Sequence, residues 1–268
     1  MPFLYGWFGW LLVVPLGLCL GSFASAIAAR VPQGRSWIVS DKKFSRSACM
    51  ICGHQLSVLD LVPLFSWIFL KGRCRYCHGA IGWHYPVIEL TCLLMALLVY
   101  GGWGYSLTAL FVFLAIPFCV ALCVIDLKHM VLPDQLNFIL AVLGIGYVLS
   151  SLPPAVSVGI ALAGVAVGAA LYALTIFSLG KLIGWLKHRE ALGLGDVKFM
   201  AVAGVWMGLS SLPYLLMAGG TLGVFLAMFW KKLTGEERFP FGPALIIGFL
   251  LVLLLQSPGA EALFKASP

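Results

Sequence analysis

Residues 107–125 read LTALFVFLAIPFCVALCVI, an uncharged, mostly apolar run within a candidate span of about 106–125, and Asp126 follows it directly. A helix needs roughly 20 such residues to cross a bilayer, so the stretch predicts a spanning helix with Asp126 at its edge. The pattern recurs over about 3–29, 86–104, 136–152, 155–180, 197–211, 213–230 and 241–257, which makes eight candidate spans. A second aspartate, Asp196 in Gly193-Leu194-Gly195-Asp196, stands just ahead of the sixth. Ionisable groups at a membrane edge are costly and mark functional sites by default. Two carboxylates brought within a few ångströms cannot both ionise freely, and such a pair suits acid/base chemistry on a water.

Composition agrees with the spans. The 268 residues are 62% hydrophobic and 10% charged, with mean hydropathy +1.03, which excludes an ordinary soluble domain. The expected fold is therefore an all-α polytopic membrane protein of about eight transmembrane helices. Residues 24–29 are small, but Arg30 follows the first apolar run and no basic residue precedes it. That is the reverse of a secretory signal, so residues 1–29 read as a retained helix.

Threading eight spans with Arg30 inside puts 30–85, 126–135, 181–196 and 231–240 on one face. Those segments, with Lys198, hold sixteen of the seventeen Lys and Arg residues, and only Lys265 falls elsewhere. The asymmetry predicts a cytoplasmic location for both aspartates and an outer one for both termini. The net charge of +7 then needs no nucleic-acid partner, since topogenic cations beside anionic lipid account for it.

Residues 30–85 form a basic cytoplasmic insert between the first two spans, and 86–268 the membrane domain carrying the acidic pair. In the insert, Cys49-Met50-Ile51-Cys52-Gly53 and Cys74-Arg75-Tyr76-Cys77-His78-Gly79 are separated by 21 residues. Two such pairs match a four-thiolate zinc site with no position left for water, a structural metal that would staple a small module. Redox thiols and unliganded cysteines are the competing readings. Gly53 and Gly79 suit a backbone folding back on the metal.

The remaining candidates read more plainly. Cys19, Cys92, Cys119 and Cys123 lie at no ligand spacing and are expected as small core residues. His54, His78, His84, His129 and His188 read as surface or loop histidines. Asp134, in Leu132-Pro133-Asp134-Gln135, looks like the N-cap of the fourth span, and Asp41 and Asp60 are expected in solvent. Glu89, about one turn into the second span, is a supporting candidate within reach of headgroups or a lysine. Trp7, Trp10, Trp103, Tyr105 and Trp230 fall near span ends, as an aromatic belt would. Gly164, Gly168, Gly219, Gly220 and Gly223 are expected to let helices pack closely. Gly193 and Gly195 would permit a sharp turn and a close backbone approach at Asp196.

Together these residues resemble the type IV prepilin peptidases, GxGD-type intramembrane aspartic proteases. The resemblance runs through Gly21-Ser22-Phe23 and Arg30-Val31-Pro32, the two cysteine pairs, and Pro63-Leu64-Phe65-Ser66-Trp67 with Lys71-Gly72-Arg73. It continues through Gly82, Tyr85-Pro86 and Glu89-Leu90, then Ile125-Asp126-Leu127 and Pro133-Asp134. Gly193-Leu194-Gly195-Asp196-Val197-Lys198 and Phe239-Pro240-Phe241-Gly242-Pro243 complete it.

The resemblance implies that Asp126 and Asp196 are the catalytic pair. It also implies removal of the basic leader from prepilins or pseudopilins, at a Gly–Phe-type junction on the cytoplasmic side of the bacterial inner membrane. Family members often also methylate the new N-terminus with S-adenosylmethionine, an activity tied to the insert. Here Ser25 and Leu61 stand where the family pattern carries Asn. No glycine-rich nucleotide loop follows a strand. A transporter using the acidic pair as an ion relay is the alternative from another class. It fits less well, because both aspartates are expected at one membrane face rather than near the midplane.

Overall fold

The computed structural model describes residues 8–34, 47–187, 192–236 and 238–266. Trp7, Asp41 and His188 lie outside the described residues. The chain is helical, and among the described residues extended pairing is limited to two isolated antiparallel bridges, Ala48 with Gln55 and Arg73 with Ala80. Among the described residues ten α-helices follow in order: α1 Phe8–Arg30, α2 Phe65–Phe69, α3 His84–Trp103, α4 Leu107–His129, α5 Asp134–Ser150, α6 Val158–Lys187, α7 Leu194–Met207, α8 Leu212–Thr234, α9 Gly242–Leu255 and α10 Pro258–Ala266.

Each of the eight apolar stretches carries a helix among the described residues, and five of these (α1, α3, α4, α6 and α8) are long and apolar enough to cross a membrane. The other three are shorter: α5 has 17 residues, α7 and α9 have 14 each. At 1.5 Å per residue α7 extends only about 21 Å, less than the ~30 Å hydrocarbon core. α10 was not foreseen; it opens where Ser257 Oγ takes the N–H of Ala260. Local chemistry sets the ends of α4. Ser106 caps its start by accepting the N–H of Ala109, and Met130 closes it in the left-handed region at φ 53°.

The chain divides into two compact units, residues 1–100 with 116–121, and 101–115 with 122–268. In the first, α1 runs antiparallel to α3. Gly17 and Gly21 make the approach possible: a Cβ on Gly21 would lie 2.4 Å from the Glu89 Cα, and one on Gly17 2.9 Å from the Ala96 Cβ. Trp10 meets Tyr100 edge-on at 4.7 Å farther along the pair.

In the second unit α7 is the central helix. Gly204 and Gly168 bring α7 and α6 into backbone contact, each one's missing Cβ replaced by the other's carbonyl at about 2.5 Å. α5 lies parallel to α7, with Trp206 Nε1 donating to the Leu140 carbonyl at 2.8 Å. Phe199 and Trp206 both set their rings edge-on to Phe249 of α9, and Gly219 of α8 packs on Gly248 of α9. Gly164 and Gly220, expected at contacts, face open space, whereas Gly204 carries the closest crossing.

Candidate active site and metal centre

α7 begins three residues earlier than its apolar run, because Asp196 supplies its own N-terminal cap. Gly193 is the N-cap, and the Asp196 carboxylate three residues on accepts the Gly193 N–H at 3.3 Å. This is half of a capping box, and it uses one of the backbone donors that a helix start leaves unpaired. Asp196 is 9% exposed.

The two glycines act otherwise than the sequence suggested. Gly193 sits at φ −76°, ψ 149°, an extended conformation open to any residue, and Gly195 is already helical. Gly195 matters for space: a Cβ there would stand 3.2 Å from the Leu132 Cβ. The backbone that comes close is thus the chain's own loop between α4 and α5.

Asp126 lies in the last turn of α4, 5% exposed. Its Oδ2 accepts the N–H of Gly242 at 2.9 Å, and Gly242 is the first residue of α9. A Cβ on Gly242 would fall 2.6 Å from that oxygen and 3.1 Å from Leu132 Cδ2. Leu132 therefore touches both sites, and the Asp126 and Asp196 carboxylates are near enough to interact electrostatically. Each is held at a helix N-terminus, Asp126 by α9 and Asp196 by α7, where N–H groups and the helix dipole favour negative charge. Gly242 was quoted in the sequence motif without a role; its only sequence signal is the Gly-Pro step that opens a helix.

Asp134 is not the cap of α5. Pro133 is the N-cap and makes no side-chain bond, and Asp134 is the first helical residue. Its carboxylate pairs with Lys198 of α7 through both oxygens, at 2.7 and 2.8 Å, on an exposed surface.

The cysteine pairs of the insert form two matching knuckles. In the first, Cys49 N–H donates to His54 O and Gly53 N–H to Cys49 O; in the second, Cys74 N–H donates to Gly79 O and His78 N–H to Cys74 O. The left-handed residue after each second cysteine is Gly53 at φ 69° in one and His78 at φ 55° in the other. The turn duty expected of Gly79 therefore falls to His78. Gly79 is needed for room, since a Cβ there would lie 2.5 Å from Ile51 Cδ1.

The sulfurs of Cys49, Cys52, Cys74 and Cys77 all lie within 4.8 Å of one another, Cys49 and Cys77 at 3.9 Å. Tetrahedral ligands about 2.3 Å from a zinc ion stand about 3.8 Å apart, so the cluster fits a metal ion. The backbone N–H groups of Cys52 and Ile51 pull the Cys49 thiol down to about 6, a start toward the thiolate that a metal requires.

Asp60, expected in solvent, organises the insert instead. Its carboxylate accepts from the Ser57 N–H and Oγ, Arg75 Nε and Tyr76 Oη, at 2.7–3.1 Å. Its side chain is 4% exposed. Loss of water pushes its carboxyl up, and these bonds outweigh that and hold it down at about 2. Tyr76 also stacks on His54 at 3.7 Å, joining the two knuckles.

Glu89 is buried, and its hydrogen-bond partner among the described residues is a backbone N–H. Its carboxylate accepts the Leu64 N–H at 2.6 Å. Leu64 stands at φ 61°, ψ −51°, and Phe65 N–H bonds Pro63 O at 2.6 Å, a strained γ-turn. Of the remaining cysteines, Cys92 and Cys119 are core residues as expected, while Cys19 is exposed.

Comparison with known proteins follows the same division. The model of the bacterial peptidase A24 N-terminal domain matches residues 15–103, and that of the type IV leader peptidase family matches 113–228. The prepilin leader peptidase/N-methyltransferase of Pectobacterium carotovorum subsp. carotovorum is 31% identical, covering 93% of this chain and 94% of the relative. Its namesake from Aeromonas hydrophila is 32% identical over 92% and 91%. The type 4 prepilin-like proteins leader peptide-processing enzyme of Escherichia coli O78:H11 (strain H10407 / ETEC) is 34% identical over 90% and 92%. No solved structure matches the chain.

Proposed function

Because the chain belongs to the type IV leader peptidase family, we propose that it is a membrane aspartic endopeptidase that removes the basic leader of prepilins or pseudopilins. The observation that supports this reading is that Asp126 and Asp196 lie close enough to interact electrostatically, each accepting a backbone N–H at a helix N-terminus. In the ionised state one carboxylate takes a proton from a water, and the resulting hydroxyl adds to the scissile carbonyl carbon. The other carboxyl gives its proton to the carbonyl oxygen, and protonation of the leaving nitrogen then lets the C–N bond break. The Gly193 and Gly242 N–H groups fix the two side chains, so orientation precedes substrate binding.

We place this chemistry at the cytoplasmic face of the bacterial inner membrane, on the strength of the Lys and Arg distribution. Five helices suited to crossing, with the shorter apolar α5, α7 and α9, support the eight-span reading. For the four-cysteine cluster we propose zinc in a structural role, since four thiolates leave no open position. We extend the proposal to methylation of the new N-terminal amine with S-adenosylmethionine. The names of the Pectobacterium and Aeromonas relatives carry this activity, and the insert at 30–85 is where the resemblance locates it.

The test is cleavage of a prepilin by detergent-solubilised protein, where no ion gradient exists and a relay alone would produce nothing. Asp126→Asn, Asp196→Asn and the double variant are each expected to lose cleavage almost completely, without additivity, because a dyad acts as a unit. Asp134→Asn removes one exposed ion pair, typically worth under ~1 kcal/mol, and is expected to stay within severalfold of the unmodified chain. Substantial cleavage by Asp196→Asn would sink the assignment.

A further inference from the structure

The insert exposes more large apolar surface than a water-facing module of its size can carry without cost. Val58 and Leu59 are 83% and 68% exposed, and on α2 Phe65, Ile68 and Phe69 are 51%, 53% and 80% exposed. The last three stand at i, i+3 and i+4, so they share one face of the helix. Trp83, 72% exposed, sits one residue before α3.

Depth along α3 says what covers this face. Glu89 accepts the Leu64 N–H and lies five residues into α3, a helix suited to crossing a membrane from His84 onward. Five residues of helix rise about 7.5 Å. The start of α2 is therefore pinned beside α3 below the level at which α3 begins, about the depth to which interfacial helices bury their apolar face. Just past α2, Lys71 and Arg73 are exposed and carry no acidic partner among the described residues. Their charge complements the phosphates of an anionic leaflet.

We propose that residues 58–69 are an interfacial anchor that buries Phe65, Ile68 and Phe69 in the headgroup boundary of the bilayer, with Lys71 and Arg73 on anionic phospholipid. The anchor holds the insert against the membrane on the side where α3 enters. It does not depend on the peptidase reading, and its test uses no substrate.

The experiment is hydroxyl-radical footprinting of the full chain, one copy per nanodisc, in lipid containing anionic phospholipid, with each residue's rate normalised to the denatured chain. Phe65, Ile68 and Phe69 should be modified several-fold less than their exposure requires. Met50, 74% exposed on the first knuckle, should be modified freely. Oxidation of Phe69 at the rate its exposure predicts overturns the proposal. So does retained protection at Ile68 in Phe69→Glu, which would mean that protein covers the face. A photo-crosslinking residue at position 69 should yield lipid adducts; adducts to a second protein instead would refute the choice of partner. Protection that persists unchanged in wholly zwitterionic discs, or in Lys71→Gln with Arg73→Gln, refutes the anionic component.

Discussion

Gly242→Ala is the most discriminating change the site offers, because the added carbon would lie 2.6 Å from Asp126 Oδ2 and 3.0 Å from its Cγ. Neither backbone nor carboxylate can ignore a contact that short, so the carboxylate must swing away from the Gly242 N–H. Gly242 is helical with negative φ, absent from the positive-φ positions, so alanine costs nothing in conformation there. A hydrogen bond to a charged group contributes about 1.5–3 kcal/mol, and each 1.36 kcal/mol is tenfold in rate. Loss of that bond alone should lower kcat/KM by roughly 10- to 150-fold. A displacement of about 1 Å in a catalytic group costs a similar factor. The assay is prepilin cleavage in detergent, with thermal unfolding measured alongside. Gly220→Ala in α8 is the control, since a Cβ there meets nothing within 4 Å, and helix propensity favours alanine by up to ~1 kcal/mol. Wild-type kcat/KM in a folded Gly242→Ala would refute the placement of Asp126 against α9.

The metal cluster and Glu89 give two more outcomes. Serine at any of Cys49, Cys52, Cys74 or Cys77 should release bound zinc, read by elemental analysis of purified protein, and loosen the insert before it affects cleavage; stoichiometric metal in Cys74→Ser with Cys77→Ser would rule out the site. Glu89→Leu leaves the strained Leu64 turn without its acceptor and should raise hydrogen exchange across residues 62–69, while Glu89→Gln, which still accepts, should restore protection; equal exchange in both variants would mean the bond does not hold the turn.

Long apolar runs were legible in the sequence, whereas the short amphipathic α10 and the contacts that depend on a distant partner were not. Apolar runs located all eight helical stretches, because burial or lipid exposure of a helix leaves a continuous signature. Cysteine spacing located the four-cysteine cluster for a related reason, since each knuckle is a local turn repeated at a fixed interval. Asp60 reads as a surface acid until Arg75 and Tyr76 fold over it. The role of Glu89 depends on a backbone N–H 25 residues earlier. Gly242 reads as a helix start, and its donation to Asp126 crosses 116 residues. Asp134 misled because a cap and a first helical residue look alike after proline, and only Lys198, 64 residues on, distinguishes them.

That same lysine shows how Asp196 stays free of its nearest cation in sequence. Lys198 follows Asp196 by two residues, and a cation so close would ordinarily be expected to neutralise it. Two residues on a helix are about 200° apart, however, so positions i and i+2 do not face each other. Lys198 projects toward α5, where both oxygens of Asp134 receive it. Asp196 projects elsewhere and is held by the Gly193 N–H, as Asp126 is by the Gly242 N–H. A salt bridge would fix the charge of one carboxylate and oppose its protonation. A backbone N–H orients one oxygen of each group without supplying a full countercharge. The helix periodicity of Gly193–Lys198 thus separates the carboxylate proposed for the chemistry from the cation two residues on.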